Sequence, residues 1–289
     1  MCRVFGFRSA FPSAMHNSLV RARNALTVQS RQHPDGWGIA FFDGSDSHLL
    51  RGTGAAFVDG DFRSAAGLVS SRTVLAHVRK ASAGAVEERN CHPFLRGPWA
   101  FAHNGDIARW PELKAEVEAR VAPPHRRFEG DTDSERVFAL FLSLLDARTD
   151  GASATAPFDA VRACLLETVE RLRALVDPGA PKASVLTLVV ARDDLLAAVH
   201  AGNTLWYSTY KGRCPERDGC SMLDPSCEGE VDDGTPVRHL LIASEPLSTE
   251  NVWLPVPDDQ VVGVDAGMIL HAPGAAGGLQ ARSAAGARI

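Results

Sequence analysis

Three short polar clusters hold the residue types that chemistry needs: AHVRKASAG (76–84), AHNGD (102–106) and GDTDSE (130–135). Each sits where a strand-like run ends or a helix-like run begins. Side chains and backbone N–H groups at such positions can converge on one pocket. A thiol, Cys2, stands at the second position in MCRVFGF. Taken singly, each feature also has a plain structural reading. Asn-Gly is a favoured hairpin pair. Asp131 or Asp133 suits a helix cap, with Glu135 in the first turn. Arg79 reads equally as a surface cation, and Cys2 as a small buried hydrophobe that starts a strand.

The elements that must position these residues follow from periodicity and turn signals. CRVFGF (2–7) reads as a strand, HNSLVRARNALTVQS (16–30) as a helix, and HPDGWGIAFFDG (33–44) as a turn entering a strand and a second turn. RTVLAHVR (72–79) and WAFAHNG (99–105) read as buried strands. SERVFALFLSLLDA (134–147) is an apolar helix. In 158–176, Val161, Leu165, Val169, Leu172 and Leu175 keep helical spacing. Strands resume at 183–191, 195–202, 205–210, 237–244 and 260–272. The order is strands, helices, strands. It lacks the βα alternation of a doubly wound parallel sheet and suits one α+β domain with stacked sheets. Residues 211–236 read as a long loop, and 273–289 as a flexible tail.

Composition excludes several classes. The chain has 289 residues, 45% apolar and 22% charged, as in ordinary globular proteins. The formal net charge of −5 without a basic run gives no footprint for nucleic acid. No apolar stretch reaches the roughly 18 residues of a membrane span, and no secretory signal opens the chain. The six scattered cysteines suggest a reducing cytoplasm rather than a disulfide framework.

Together and in this order, the motifs carry a specific likeness. MCRVFGF, HPDGWGIAFFDG, AHVRKASAG, CHPF (91–94), FAHNGDI, GDTDSE, IASEPL (242–247) and VPDDQVVGVD (256–265) resemble a class II glutamine amidotransferase, one of the N-terminal-nucleophile hydrolases. The likeness covers most of residues 2–272, which are read as one domain. It is strongest to stand-alone bacterial members, and more distant to ergothioneine-pathway γ-glutamyl hydrolases. The resemblance implies a four-layer αββα sandwich. It also implies cleavage of a γ-glutamyl amide, with glutamine as the default substrate, and calls for no cofactor.

The implied roles can be weighed against the residues. Removal of Met1 leaves Cys2 with both a thiol and a free α-amine. An α-amine has a pKa of about 7.7–8.0, so a sizeable neutral fraction near pH 7 can accept the thiol proton. By resemblance, the Asn104 side chain and the Gly105 N–H form the oxyanion hole. Arg79 binds the substrate α-carboxylate, Asp133 holds its α-ammonium, and Ser82 and His92 line the pocket. Lys80 stands where sugar- and purine-making relatives carry Trp. Gln32 stands where hexosamine-making relatives close the pocket with Arg, and Arg31 is one residue off.

Two metal readings are disfavoured. His77, His92 and His103 lack local ligand spacing, and Cys214, Cys220 and Cys227 lack a tight CxxC pair. Three functional classes stay open. The chain releases ammonia from glutamine for a partner synthase, or it hydrolyses another γ-glutamyl compound outright, or it binds γ-glutamyl ligands or a partner without catalysis.

Overall fold

The computed structural model describes residues 2–44, 46–214, 217–231 and 234–273. The segment expected to be a tail, 273–289, lies outside these apart from Pro273. β1 (Arg3–Ala14) is followed by a one-turn helix α1 (Leu26–Gln29), β2 (Trp37–Asp43), β3 (Asp46–Gly52), α2 (Gly60–Leu68) and β4 (Ser70–Val78). β5 (Phe94–Arg96) and β6 (Trp99–Asp106) lead into α3 (Trp110–Arg120), α4 (Asp133–Arg148) and α5 (Phe158–Val176). The chain closes with β7 (Val185–Arg192), β8 (Leu195–Val199), β9 (Trp206–Ser208), β10 (His239–Ala243), β11 (Leu254–Pro255), β12 (Val261–Val264) and β13 (Leu270–His271).

Among the described residues the strands form two antiparallel sheets. One is ordered β11-β9-β10-β1-β4-β2-β3, the other β13-β12-β8-β7-β6-β5. Each sheet mixes strands from both ends of the chain, so the helical middle is a connection between two halves of one sandwich. Period-2 alternation supplies two apolar faces per strand. Val4, Leu75, Ala102, Val189 and Ile242 fill the space between the sheets. Phe101, Leu186, Leu188 and Val190 face outward onto α3, α4 and α5. Phe5, Phe7, Ile39 and Val74 face the opposite way onto α1 and α2. The result is helices, sheet, sheet, helices, as the resemblance implied.

The stripe in α5 behaves as its spacing predicts, with Val161, Leu165, Val169 and Leu172 buried. α4 is buried on nearly all sides because it lies between the sheet and its neighbouring helices. The single helix expected over 16–30 is instead broken. A π-turn at Asn17–Arg21 ends where Ala22 becomes extended, and α1 starts only after Ala25. The break has a tertiary cause: the Asn24 N–H donates to Leu247 O at 3.0 Å, and Asn24 Nδ2 donates to Pro246 O at 3.0 Å. The strand expected over 260–272 is a hairpin, β12 and β13, turned through Asp265. Its Oδ1 accepts from Gly267 N and Ile269 N.

Candidate active site

Strand parity assembles the site. β1 pairs with β4 so that Val4 lies opposite His77 and Arg3 opposite Val78. Cys2 therefore continues the inter-sheet face of Val4, and Arg79 continues that of Leu75 and His77. In the other sheet Asn104 follows Ala100 and Ala102 on the face toward the slot. Ser244, at the end of β10, follows Leu240 and Ile242. These chain ends meet at one rim of the sandwich.

Cys2 is 7% exposed. Its Sγ donates to Lys80 O at 3.4 Å and accepts from Lys80 N at 3.3 Å. Burial pushes the thiol pKa up. The Lys80 N–H and the Arg79 guanidinium oppose this, while the Asp133 carboxylate adds to it. A buried thiol with no neighbouring base is a poor nucleophile.

Asn104 is buried, with its amide plane clamped. Asn203 Nδ2 donates to Asn104 O at 2.9 Å and to Asn104 Oδ1 at 3.2 Å, and Asn104 Nδ2 donates to Ser244 Oγ at 3.1 Å. Gly105 faces the opposite way, and no side chain fits there. A Cβ would stand 1.8 Å from Val185 O and 2.6 Å from His103 Nε2. β5 pairs with β6 only as far as Phe101, so beyond it the β5-side edge of β6 is open at Gly105.

The polar loops are bound to each other rather than hanging free. Arg79 is 2% exposed, and its guanidinium donates to Ala83 O at 2.8 Å, Gly84 O at 3.2 Å and Ala85 O at 3.0 Å. Asp35 Oδ2 accepts from Ala81 N at 2.8 Å, which joins the HPDG turn to the same loop. Buried Asn90 bridges two clusters. Its Nδ2 donates to Ala85 O at 3.0 Å, and its Oδ1 accepts from Asp131 N at 3.0 Å. Thr132 caps α4 by accepting from Glu135 N. Asp133 follows, accepting from Ile107 N at 2.9 Å and Ser134 N at 2.8 Å. Lys80 and Ser82 are exposed at the rim.

His92 is not at the rim. It is 4% exposed, with its ring centroid 4.4 Å from that of His77 and 4.7 Å from that of Phe94. No ring nitrogen of His77 or His92 has a hydrogen-bond partner among the described residues. Burial holds both rings neutral, His77 with a pKa of about 3 and His92 well below the usual value. His103 points away toward α4, between Ser134 Oγ at 3.0 Å and Val185 O at 2.8 Å. His77 and His92 thus pack together, while His103 is turned away to its own partners. Cys91 is fully buried beneath the HPDG turn, where a Cβ on Gly36 would come within 2.4 Å of its Sγ.

Cys2, Arg79, Lys80, Asn104 and Asp133 are brought together. Sequence reasoning did not single out Asn90, Asn203 and Ser244. Only the IASEPL motif around Ser244 gave any signal.

Comparison with known proteins shows the family and the fold. The family model for class II glutamine amidotransferases matches residues 1–277. The chain is 27% identical over 316 residues to "Probable glutamine amidotransferase DUG3" of Saccharomyces cerevisiae, covering 94% of this chain and 84% of that protein. It is 29% identical over 275 residues to the γ-glutamyl-hercynylcysteine sulfoxide hydrolase of Mycobacterium tuberculosis, covering 91% and 93%. Among solved structures, a glutamine aminotransferase class-II domain protein from Silicibacter pomeroyi superposes with a TM-score of 0.60 at 19% identity, covering 92% of this chain and 95% of that one. The glutamine phosphoribosylpyrophosphate amidotransferase of B. subtilis gives 0.59 at 15% identity, with 94% of this chain matching 49% of the larger enzyme. The αββα sandwich is the fold of these amidotransferases, and the chain belongs to the class II glutamine amidotransferases.

Proposed function

We propose that the protein cleaves a γ-glutamyl amide with Cys2 as nucleophile, glutamine being the default substrate. The observation that carries this reading is the meeting of Cys2 and Arg79, from one sheet, with Asn104, from the other, between the sheets at one rim, with Asp133 near enough to act on the thiol. Once Met1 is gone, the Cys2 α-amine takes the thiol proton. The thiolate attacks the γ-carbonyl carbon, and its oxygen becomes an oxyanion facing Asn104 Nδ2 and the Gly105 N–H. The C–N bond breaks and ammonia leaves with the proton returned by the ammonium. Water then attacks the γ-glutamyl thioester, the C–S bond breaks, and the thiol is restored.

Arg79 has five N–H donors, and its three bonds to loop carbonyls leave two for a substrate carboxylate. It therefore both holds the 81–85 loop and reads the amino-acid end, with Asp133 taking the α-ammonium. Lys80 and Ser82 form the rim. His92 acts from beneath, as packing for His77 and hence for Arg79. Domain limits of 2–272 and a cytoplasmic setting belong to the same proposal. Among the described residues no helix is long and apolar enough to cross a membrane.

A second reading, hydrolysis of another γ-glutamyl compound, is favoured by the near end-to-end match to the mycobacterial hydrolase. A first reading with a partner synthase would instead send ammonia onward. Purified protein tested for glutamate release from glutamine and from a panel of γ-glutamyl amides decides between them. Release from none would remove the proposal.

Three expected results arise here. Intact mass of active protein should show the loss of one methionine, and activity in a form that retains Met1 would exclude the amine mechanism. Asn104→Ala should lower kcat by about 10²–10³-fold with little change in KM, the usual cost of one oxyanion donor. Arg79→Lys should mainly raise KM, since a planar fork is lost, with some loss of kcat as the loop it holds loosens. A large KM effect at Asn104 with unchanged kcat would assign it to ground-state binding.

A further inference from the structure

Ser244 stands on the face between the sheets and is 2% exposed. Its backbone N–H donates to Val4 O at 3.1 Å, and its Oγ accepts from Val4 N at 3.0 Å. The side chain thus replaces a backbone carbonyl in the last rung between β10 and β1. The pairing stops there, two residues before the thiol. The same Oγ accepts from Asn104 Nδ2 at 3.1 Å. One hydroxyl therefore ties the strand that carries Cys2, in one sheet, to the Asn104 amide in the other.

The direction of that amide is fixed by elimination. Asn104 O can only accept, so the Asn203 nitrogen lies against it and must donate. Asn203 itself is locked, because Thr187 Oγ1 donates to Asn203 O at 2.9 Å and accepts from Asn203 N at 3.1 Å. The second acceptor of Asn203 Nδ2 is then Asn104 Oδ1, and Asn104 Nδ2 is turned toward Ser244. The Val4 N–H and one Asn104 N–H use both lone pairs of the Ser244 hydroxyl. The other Asn104 N–H is left to point elsewhere.

The geometry points to Ser244 as a positioning residue that sets the distance and angle between the Cys2 thiol and the Asn104 donor; this rests on the roles proposed above for those two residues. An oxyanion donor stabilises the transition state only when it is aimed at the developing charge before reaction. A primary amide can rotate, and two of its four hydrogen-bonding positions are held by partners from different elements, Asn203 in the loop after β8 and Ser244 at the end of β10. Removing the Ser244 hydroxyl frees the amide on the side that faces the reaction. It also leaves the Val4 N–H unpaired beside the nucleophile. Ser244 lies 240 residues from Val4 and 140 from Asn104 in sequence. The C-terminal strands are thereby part of the catalytic apparatus, although they supply no reacting atom.

The test combines steady-state kinetics with a measurement that needs no turnover. Ser244→Ala should lower kcat for glutamate release by about 10–100-fold, less than loss of the donor itself, with KM within about threefold. Ser244→Thr keeps the hydroxyl and should recover most of the rate. The double variant Ser244→Ala/Asn104→Ala should be no slower than Asn104→Ala, because residues acting through one another are not additive. By NMR, the Asn104 side-chain amide protons should exchange at least about tenfold faster in Ser244→Ala than in the native protein, and at the native rate in Ser244→Thr. Multiplying kcat effects in the double variant, or unchanged Asn104 exchange in Ser244→Ala, would overturn the proposal. Native protein that releases glutamate from no γ-glutamyl amide would count against the activity itself. The exchange measurement would still decide whether Ser244 holds the amide.

Discussion

Cys2→Ala should abolish glutamate release, lowering kcat by roughly 10⁴-fold or more, as expected for loss of a covalent nucleophile. Cys91→Ala and Cys164→Ala should keep most activity. All three thiols are buried, and burial pushes all three toward the protonated form. What separates Cys2 is its position beside an amine that becomes free on processing, since the Arg79 charge acts on Cys91 as well as on Cys2. Cys91 is enclosed by Gly52 O at 3.6 Å and Glu87 O at 3.5 Å. Cys164 lies on α5, packed against the six-stranded sheet. A glutamine-like electrophile such as diazo-oxo-norleucine should therefore label Cys2 alone, read by peptide mass. Labelling of Cys91, with activity surviving in Cys2→Ala, would move the nucleophile.

The protein should lose stability steeply below neutral pH. His77 and His92 are buried, neutral and without hydrogen-bond partners among the described residues, and protonating either would put a charge in the interior. The groups facing them make this worse: Arg79, His33 and His103 around His77, with Arg51 also acting on His92. In the unfolded chain both histidines take up a proton near the ordinary pKa of 6.5. In the folded protein His77 does so only near about 3. Their contribution is intact above about pH 6.5 and is lost as the pH falls from there. For His77, linkage gives about 2 kcal/mol between pH 7 and pH 5, and His92 adds to it in the same direction. Even the His77 part is a sizeable fraction of the 5–15 kcal/mol of a typical domain. Urea unfolding at pH 7 and pH 5 measures it. His77→Leu should shrink the difference by about 2 kcal/mol. An undiminished difference in that variant would place the acid sensitivity elsewhere.

Some of this molecule can be read directly from the chain. Helical spacing at Val161, Leu165, Val169 and Leu172 marks the buried stripe of α5, because one helix face repeats every 3.6 residues whatever it packs against. Alternation in β1, β4 and β6 marks which residues share a face, since strand parity is a local property. The order of the motifs points to the family, and with it to Cys2, Arg79, Asn104 and Asp133. α3 is harder to see, because only Trp110, Leu113 and Val117 of its eleven residues are buried.

Tertiary structure decided the rest. A helix over 16–30 satisfies local preference, yet bonds from Asn24 to Pro246 and Leu247 hold the chain open there. His92 has the polarity of a pocket residue, but the packing of β4 against the CHPF turn puts it under the site. Arg79 reads as a free cation until the 81–85 loop folds its carbonyls around it. Asn90, Asn203 and Ser244 acquire their importance only from partners in other elements, with Ser244 reaching residues 140 and 240 positions away. Sequence spacing sets which side chains share a face of one element, because backbone geometry repeats locally. Which faces meet depends on the order of strands in the two sheets, and no local pattern encodes it.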